Sequence, residues 1–156
     1  MRVLFVCSGN TCRSPLAEAI ARRQADARGL DIIVSSAGTG AWDGAPASDG
    51  AILVGIERRL DVTAHRARTL TREVVAAVDL VLCMATHHVE HAESLGGGGK
   101  TFLLTDYATA QQTGRSIADP FGGGLDDYRI TVNELELVME QVLDRLEAER
   151  SSAGPE

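Results

Sequence analysis

An apolar run, Val3-Leu4-Phe5-Val6, leads directly into Cys7-Ser8-Gly9-Asn10-Thr11-Cys12-Arg13-Ser14-Pro15, and no other stretch so narrows what this chain can fold into. The run reads as a short buried strand. Pro15 reads as the first residue of a helix, where its missing N–H is not needed. Between them lies a loop with a cysteine at its start and an arginine six residues later. A loop entering a helix N-terminus turns several backbone N–H groups inward, and the helix dipole favours negative charge there. Gly9 lets the backbone come close without a side chain in the way. Arg13 offers a planar fork that binds two oxygens at once. Residues Ser8, Gly9, Asn10, Thr11, Cys12, Arg13 and Ser14 thus form a cradle for a tetrahedral oxyanion. Cys7 sits in that positive field, which favours its thiolate. A thiolate beneath a bound phosphoryl group implies displacement at phosphorus through a phosphocysteine intermediate. The plainer reading, a buried structural cysteine at a strand end, fits a lone cysteine better than one accompanied by Gly9, Asn10, Arg13, Ser14 and Pro15.

The remaining chain reads as alternating strands and helices. Strands are expected over residues 2–6, 31–35, 79–84 and 100–104. Helices are expected over 15–28, stopped by Gly29, over 48–60, over 71–77 with Thr71 as N-cap, over 86–95 and over 126–150. Residues 36–48, 61–70 and 106–124 read as connections, and Gly96 to Gly99 as a flexible turn. Leu135, Val138, Val142 and Leu146 mark one apolar face of the last helix. The pattern predicts an α/β three-layer sandwich: a four-stranded parallel sheet with helices on both faces and the phosphate-binding loop after strand one. Ligands of such sheets sit at the carboxyl ends of the strands, where Cys7 lies. The 156 residues suit a single domain, placed at 1–150, with 151–156 as a frayed tail. No apolar run approaches the ~18 residues of a membrane span, and no export signal is evident. Three cysteines without such a signal point to a reducing cytoplasm. The net charge of −7 argues against nucleic acid as a partner.

Thiolate displacement needs an acid for the leaving group and later a base for water. One carboxyl group can serve as both, and Asp119 in Ile117-Ala118-Asp119-Pro120-Phe121-Gly122-Gly123 is the candidate. Pro120 holds Asp119 extended, and the glycines let the loop fold over a cleft. Taken alone, Asp-Pro is usually only a turn.

The C-x5-R-S spacing, continued by Pro15-Leu16-Ala17-Glu18-Ala19, resembles the low-molecular-weight protein phosphatases over about residues 2 to 148. The resemblance implies a cofactor-free, metal-independent enzyme that hydrolyses phosphorylated protein side chains and releases inorganic phosphate, working as a monomer. It makes Cys7, Arg13 and Asp119 catalytic, since the family places its general acid in a matching Asp-Pro-aromatic loop. It makes Ser14 a donor to the thiolate. It gives His65, in Thr63-Ala64-His65-Arg66, a supporting bond to Asn10. Ser35-Ser36-Ala37-Gly38-Thr39-Gly40-Ala41-Trp42 is similar to the family's pocket wall, so Trp42 is expected either beside the substrate or partly buried.

Thr11, Trp42 and Phe121 are the expected selectors of substrate. Members directed at phosphoarginine carry threonine at the place of Thr11, where tyrosine-directed members commonly carry a bulky aliphatic residue. A threonine hydroxyl can hold water or meet a guanidinium. Asp119-Pro120-Phe121-Gly122-Gly123 and the following Asp126, Asp127 and Tyr128 also resemble the bacterial protein-arginine-phosphatase branch. Trp42 points instead to bacterial tyrosine-directed members. Phosphoarginine is the preferred reading and phosphotyrosine the alternative. Cys12, in the same loop, is a partner for reversible oxidation of Cys7, and Cys83 is expected only to pack. An arsenate reductase would need a further relay of cysteines after strand three. His87-His88-Val89-Glu90-His91 has the outline of a zinc site without further ligands, and surface histidines are the simpler reading. A phosphate-binding module without catalysis would not need Cys7, Arg13 and Asp119 together.

Overall fold

The computed structural model describes residues 1–153 and holds a four-stranded, wholly parallel sheet in the order β2-β1-β3-β4. The strands are β1 Arg2–Cys7, β2 Ile33–Gly38, β3 Leu80–Cys83 and β4 Thr101–Leu103. β1 is paired at both edges and covered by helices on both faces, so residues 3–7 are all buried. Its alternation builds two cores. Val3, Phe5 and Cys7 face one side, with helices α1 (Arg13–Arg28), α2 (Asp49–Glu57), α5 (Leu104–Thr109) and α6 (Leu125–Ala153). Leu4 and Val6 face the other, with α3 (Arg72–Ala76) and α4 (Thr86–Ala92). The three-layer sandwich is therefore present, with Leu135, Val138, Val142 and Leu146 of α6 buried in the first of these cores, where α6 packs on α1, α2 and α5. Among the described residues no helix is long and apolar enough to cross a membrane.

Several boundaries differ from expectation, each for a tertiary reason. Helix α1 starts at Arg13, two residues before Pro15; Pro15 still lies in the first turn, where no N–H is required. It ends as expected at Gly29, whose φ is 66°. Strand β2 runs on to Gly38 through Ser35 and Ser36 because β1 pairs with it along its whole length, Phe5 opposite Ser36 and Cys7 opposite Gly38. Residues 104–109, expected as strand end and loop, form α5. Leu104, Thr105 and Tyr107 are buried there, and Tyr107 donates to Glu149 Oε2 of α6 at 2.9 Å. A helix of six residues is too short to show a period in sequence. The Gly-rich turn begins with one π-type turn, Glu93–Gly97. Helix α6 continues to Ala153, into the stretch expected as a tail; residues 154–156 lie outside the described residues.

Candidate active site

The loop between β1 and α1 is held by its carbonyls. Cys7 O accepts from Thr39 N–H, Ser8 O from Gly40 N–H (both 3.0 Å), Thr11 O from Ser48 N–H (2.9 Å), and Asn10 O from His65 Nε2 (2.6 Å). With the carbonyls turned outward, the N–H groups of residues 9–12 donate to no acceptor among the described residues. They line the concave side, as an anion cradle requires. The close packing falls on Gly38: a Cβ there would lie 2.5 Å from Ser8 O and 2.9 Å from Asn10 N. At Gly9 a Cβ would meet only Thr11 Oγ1, at 3.5 Å, so the protein itself does not demand glycine at that position.

Asn10 is the keystone of the loop. It is fully buried with φ at 55°, a left-handed conformation that its short amide tolerates. Its Oδ1 accepts from Arg68 N–H at 3.0 Å, and its Nδ2 donates to Ser14 Oγ (2.8 Å) and Ser36 Oγ (3.0 Å). Ser36 in turn donates to Glu18 Oε1 at 2.8 Å. Because Ser14 Oγ already accepts from Asn10, its own proton is left for Cys7 Sγ, 2.9 Å away. The sulfur is thus offered a hydrogen-bond donor. His65 supports Asn10 as the resemblance implies, through the backbone carbonyl.

Arg13 is buried at the loop's far end. One guanidinium nitrogen donates to Ile117 O at 2.9 Å, and the other lies 3.5 Å from Asp119 Oδ2. Ile117 is itself buried and tied to Met84 O at 2.8 Å, so the base of the Asp119 loop is fixed to the end of β3. Beyond it the loop is open. The Asp119 side chain is 51% exposed, and its Oδ1 accepts from Phe121 N–H at 3.1 Å, an Asx turn that Pro120 stiffens. Cys7, Ser8, Gly9, Thr11, Cys12, Arg13, Asp119 and Phe121 line one cavity of about 160 Å³. A larger cavity of about 540 Å³ between α4, β4 and α5 lacks any cysteine and holds its one arginine, Arg145, against Glu149, so size does not locate the chemistry.

Three expectations are corrected. Trp42 is not partly buried: its side chain is 84% exposed and is not among the residues that line the cavity, while the neighbouring Asp43 accepts from Thr69 N–H and Oγ1. Tyr128, grouped with Asp126 and Asp127 in the sequence, parts from those two exposed residues. It is buried, its hydroxyl lies 3.5 Å from Cys12 Sγ and 3.2 Å from Ser48 Oγ, and burial together with the Cys12 contact raises its pKa. His88 is no surface histidine but fully buried against Ser8, while His87 and His91 are exposed. The supports at Ser36, Gly38, Ser48, Tyr128 and His88 lie far along the chain from residues 7–14, and no local signal marks them.

Cys7, Cys12 and Cys83 are free thiols. Cys12 bonds toward Ser48 and Tyr128 rather than Cys7. Cys83 lies wholly within the sheet, where burial pushes its thiol pKa up.

This arrangement has clear relatives. The family model described as "Low molecular weight phosphotyrosine protein phosphatase" matches residues 2–152. The protein-arginine-phosphatase of Bacillus subtilis (strain 168) is 37% identical over 152 residues, 96% of this chain and 99% of its own. The low molecular weight protein-tyrosine-phosphatase PtpB of Staphylococcus haemolyticus is 35% identical over 136 residues, covering 86% and 92%. Among solved structures, YwlE arginine phosphatase, a C7S mutant with a phosphorylated active-site serine, superposes with a TM-score of 0.91 at 36% identity, over 97% of this chain and 99% of that one. With the family model matched over residues 2–152 and the fold superposed along nearly its whole length, the chain belongs to the low molecular weight phosphotyrosine protein phosphatase family.

Proposed function

We propose that this protein is a protein-arginine phosphatase that works through a phosphocysteine. The observation that carries the reading is the single cavity in which Cys7, the unpaired loop amides, Arg13 and Asp119 meet. The Cys7 thiolate attacks phosphorus while Arg13 and the loop N–H groups bind the phosphoryl oxygens, most strongly as charge builds in the transition state. The P–N bond breaks, and Asp119 gives its proton to the departing guanidinium nitrogen. Water then attacks the phosphocysteine and loses its proton to Asp119. The P–S bond breaks, inorganic phosphate leaves and the thiolate returns. The Arg13–Asp119 pair at 3.5 Å joins the acid to the phosphate site, and the partial exposure of Asp119 leaves it free to reach a leaving group.

Thr11 supports phosphoarginine. It lines the cavity, half-buried, and its hydroxyl can meet a guanidinium or the incoming water. The full-length similarity to protein-arginine-phosphatases agrees with this. Phosphotyrosine is the second reading, favoured by relatives such as PtpB and by Phe121, which gives the cavity an exposed aromatic wall. Arsenate reduction would need a thiol relay, and Cys83, sealed in the sheet, is a poor member of one. The proposal includes a cytoplasmic monomer acting on phosphorylated proteins without metal or nucleic acid. It also includes reversible oxidation: peroxide takes Cys7 to a sulfenic acid, and Cys12 condenses with it to a disulfide, releasing water. The deciding measurement is kcat/KM on matched phosphoarginine and phosphotyrosine peptides. At least tenfold preference for phosphoarginine is expected, and preference for phosphotyrosine would give the second reading instead.

A further inference from the structure

His88 is buried on the face of the sheet away from α1, 80 residues along the chain from the loop it touches. Of the four histidines it alone is fully enclosed. Two bonds define its state. The N–H of Ala85, at the start of α4, donates to Nδ1 at 3.0 Å. That nitrogen therefore carries a lone pair, and the proton sits on Nε2. Nε2 lies 2.8 Å from Ser8 Oγ. The direction of this second bond follows: the imidazole donates and the Ser8 oxygen accepts. An imidazolium would set an N–H against the Ala85 N–H, so the pocket is built for the neutral ring. Burial, with Arg13, His87 and His91 nearby, also depresses its pKa to about 3, keeping it neutral through the working range of pH.

Ser8 is the first residue after the nucleophile, and it lines the phosphate cavity. Its hydroxyl bonds to no other group among the described residues. We propose that His88 is a positioning residue of the phosphate loop, whose Nε2–H grips Ser8 Oγ and holds the first turn of the loop ready for phosphate. His65 grips the opposite part through Asn10 O, so two histidines, one from the 61–70 connection and one from α4, brace the loop. Because Ser8 accepts from His88, its own proton turns away from the ring, toward the cavity that the residue lines. The inference rests on the phosphatase reading for its substrate, while phosphate binding tests it independently.

The experiment titrates inorganic phosphate into wild type, Ser8→Ala, His88→Phe and the double variant, following loop amides by NMR, with Tm measured for each. Each single substitution is expected to raise the Kd for phosphate about tenfold, the worth of one good hydrogen bond. The double variant should be no worse than either single, because both remove the same link. Ser8→Thr, which keeps the hydroxyl, should stay within about twofold of wild type, and His88→Gln, which keeps a donor near the ε position, should retain most of the affinity. A purely structural role would lower Tm in His88→Phe without this non-additivity in Kd. Effects that multiply to about a hundredfold, or an unchanged Kd in Ser8→Ala, would overturn the proposal. If His88→Phe does not fold, Ser8→Ala against Ser8→Thr decides alone: loss with rescue supports the link, no loss overturns it. Absence of turnover on both phosphopeptides with the Kd pattern intact would count against the proposed function and leave this inference standing.

Discussion

The two halves of the candidate active site are built in opposite ways. The phosphate loop is bonded from every side, with Cys7, Asn10, Cys12, Arg13 and Ser14 buried: Asn10 is tied to Arg68, Ser14, Ser36 and His65, Cys7 to Ser14, and Ser8 to His88. The Asp119 loop is anchored at its base by Ile117 and then runs exposed from Ala118 through Gly124, apart from Pro120, held by short-range bonds (Phe121 N–H to Asp119, Gly123 N–H to Pro120 O, Gly124 N–H to Asp127), by a long bond from Thr131 to Ala118 O and by the 3.5 Å pair with Arg13. An oxyanion cradle works by having its donors in place before charge develops, so rigidity serves it. A group that protonates one species and deprotonates another must approach two different atoms, and a lightly held loop allows that. The preformed half therefore draws on the core of the fold, and the adjustable half stays on its surface.

Substitutions can break this contrast. Cys7→Ser should abolish turnover while inorganic phosphate still binds, because the cradle survives without its nucleophile; measurable turnover in a sensitive phosphate-release assay would end the mechanism. Asp119→Asn should slow kcat by the ~10²-fold typical of a lost general acid. Its Tm should not move, since the side chain is half exposed and its ion pair to Arg13 is long. A matched fall in Tm would show that the acid loop is as much part of the scaffold as the cradle. Asn10→Ala should do the reverse, costing about 2 kcal/mol of stability through lost buried bonds and the left-handed backbone, along with activity. Urea unfolding that left the midpoint unchanged would deny its keystone place. Thr11→Ile should move the phosphoarginine to phosphotyrosine ratio of kcat/KM toward phosphotyrosine by roughly tenfold, and an unchanged ratio would clear Thr11 of selectivity.

The smallest effect concerns acid. His88 has an ordinary value of 6.5 in the unfolded chain and about 3 in the fold. Between those values the unfolded chain holds a proton that the native chain does not, so stability falls as pH is lowered from about 6.5 toward about 3. Urea midpoints at pH 7 and 4.5 should drop less in His88→Phe than in wild type. An equal drop would mean that His88 is not neutral in the native loop.

Legibility in the sequence followed the range of the interactions. Cys7, Arg13 and the loop between them were readable because strand end, loop and helix start are contiguous. Asp119 needed the family pattern, since one Asp-Pro is an ordinary turn, and the sequence left Trp42 open between a place beside the substrate and partial burial, of which the structure removes only the second. Ser36 read as the start of a connection because its polarity hides strand membership; pairing with β1 overrides it and brings Ser36 under Asn10. His88 read as a surface histidine because its neighbours His87 and His91 are exposed, and only the packing of α4 against the sheet turns it inward.

By itself the sequence determined the alternation of strands and helices, the nucleophile at the end of the first strand, and an anion cradle leading into a helix. These depend on the hydrophobic period and on bonds within a few residues. The tertiary structure decided which distant groups hold that cradle: Ser36 from β2, Ser48 at the head of α2, His65, His88 from α4, and Ile117 ahead of the acid. A buried polar atom must be satisfied by whatever partner the fold brings within about 3 Å. That partner is set by the packing of sheet and helices in space, which no local pattern encodes.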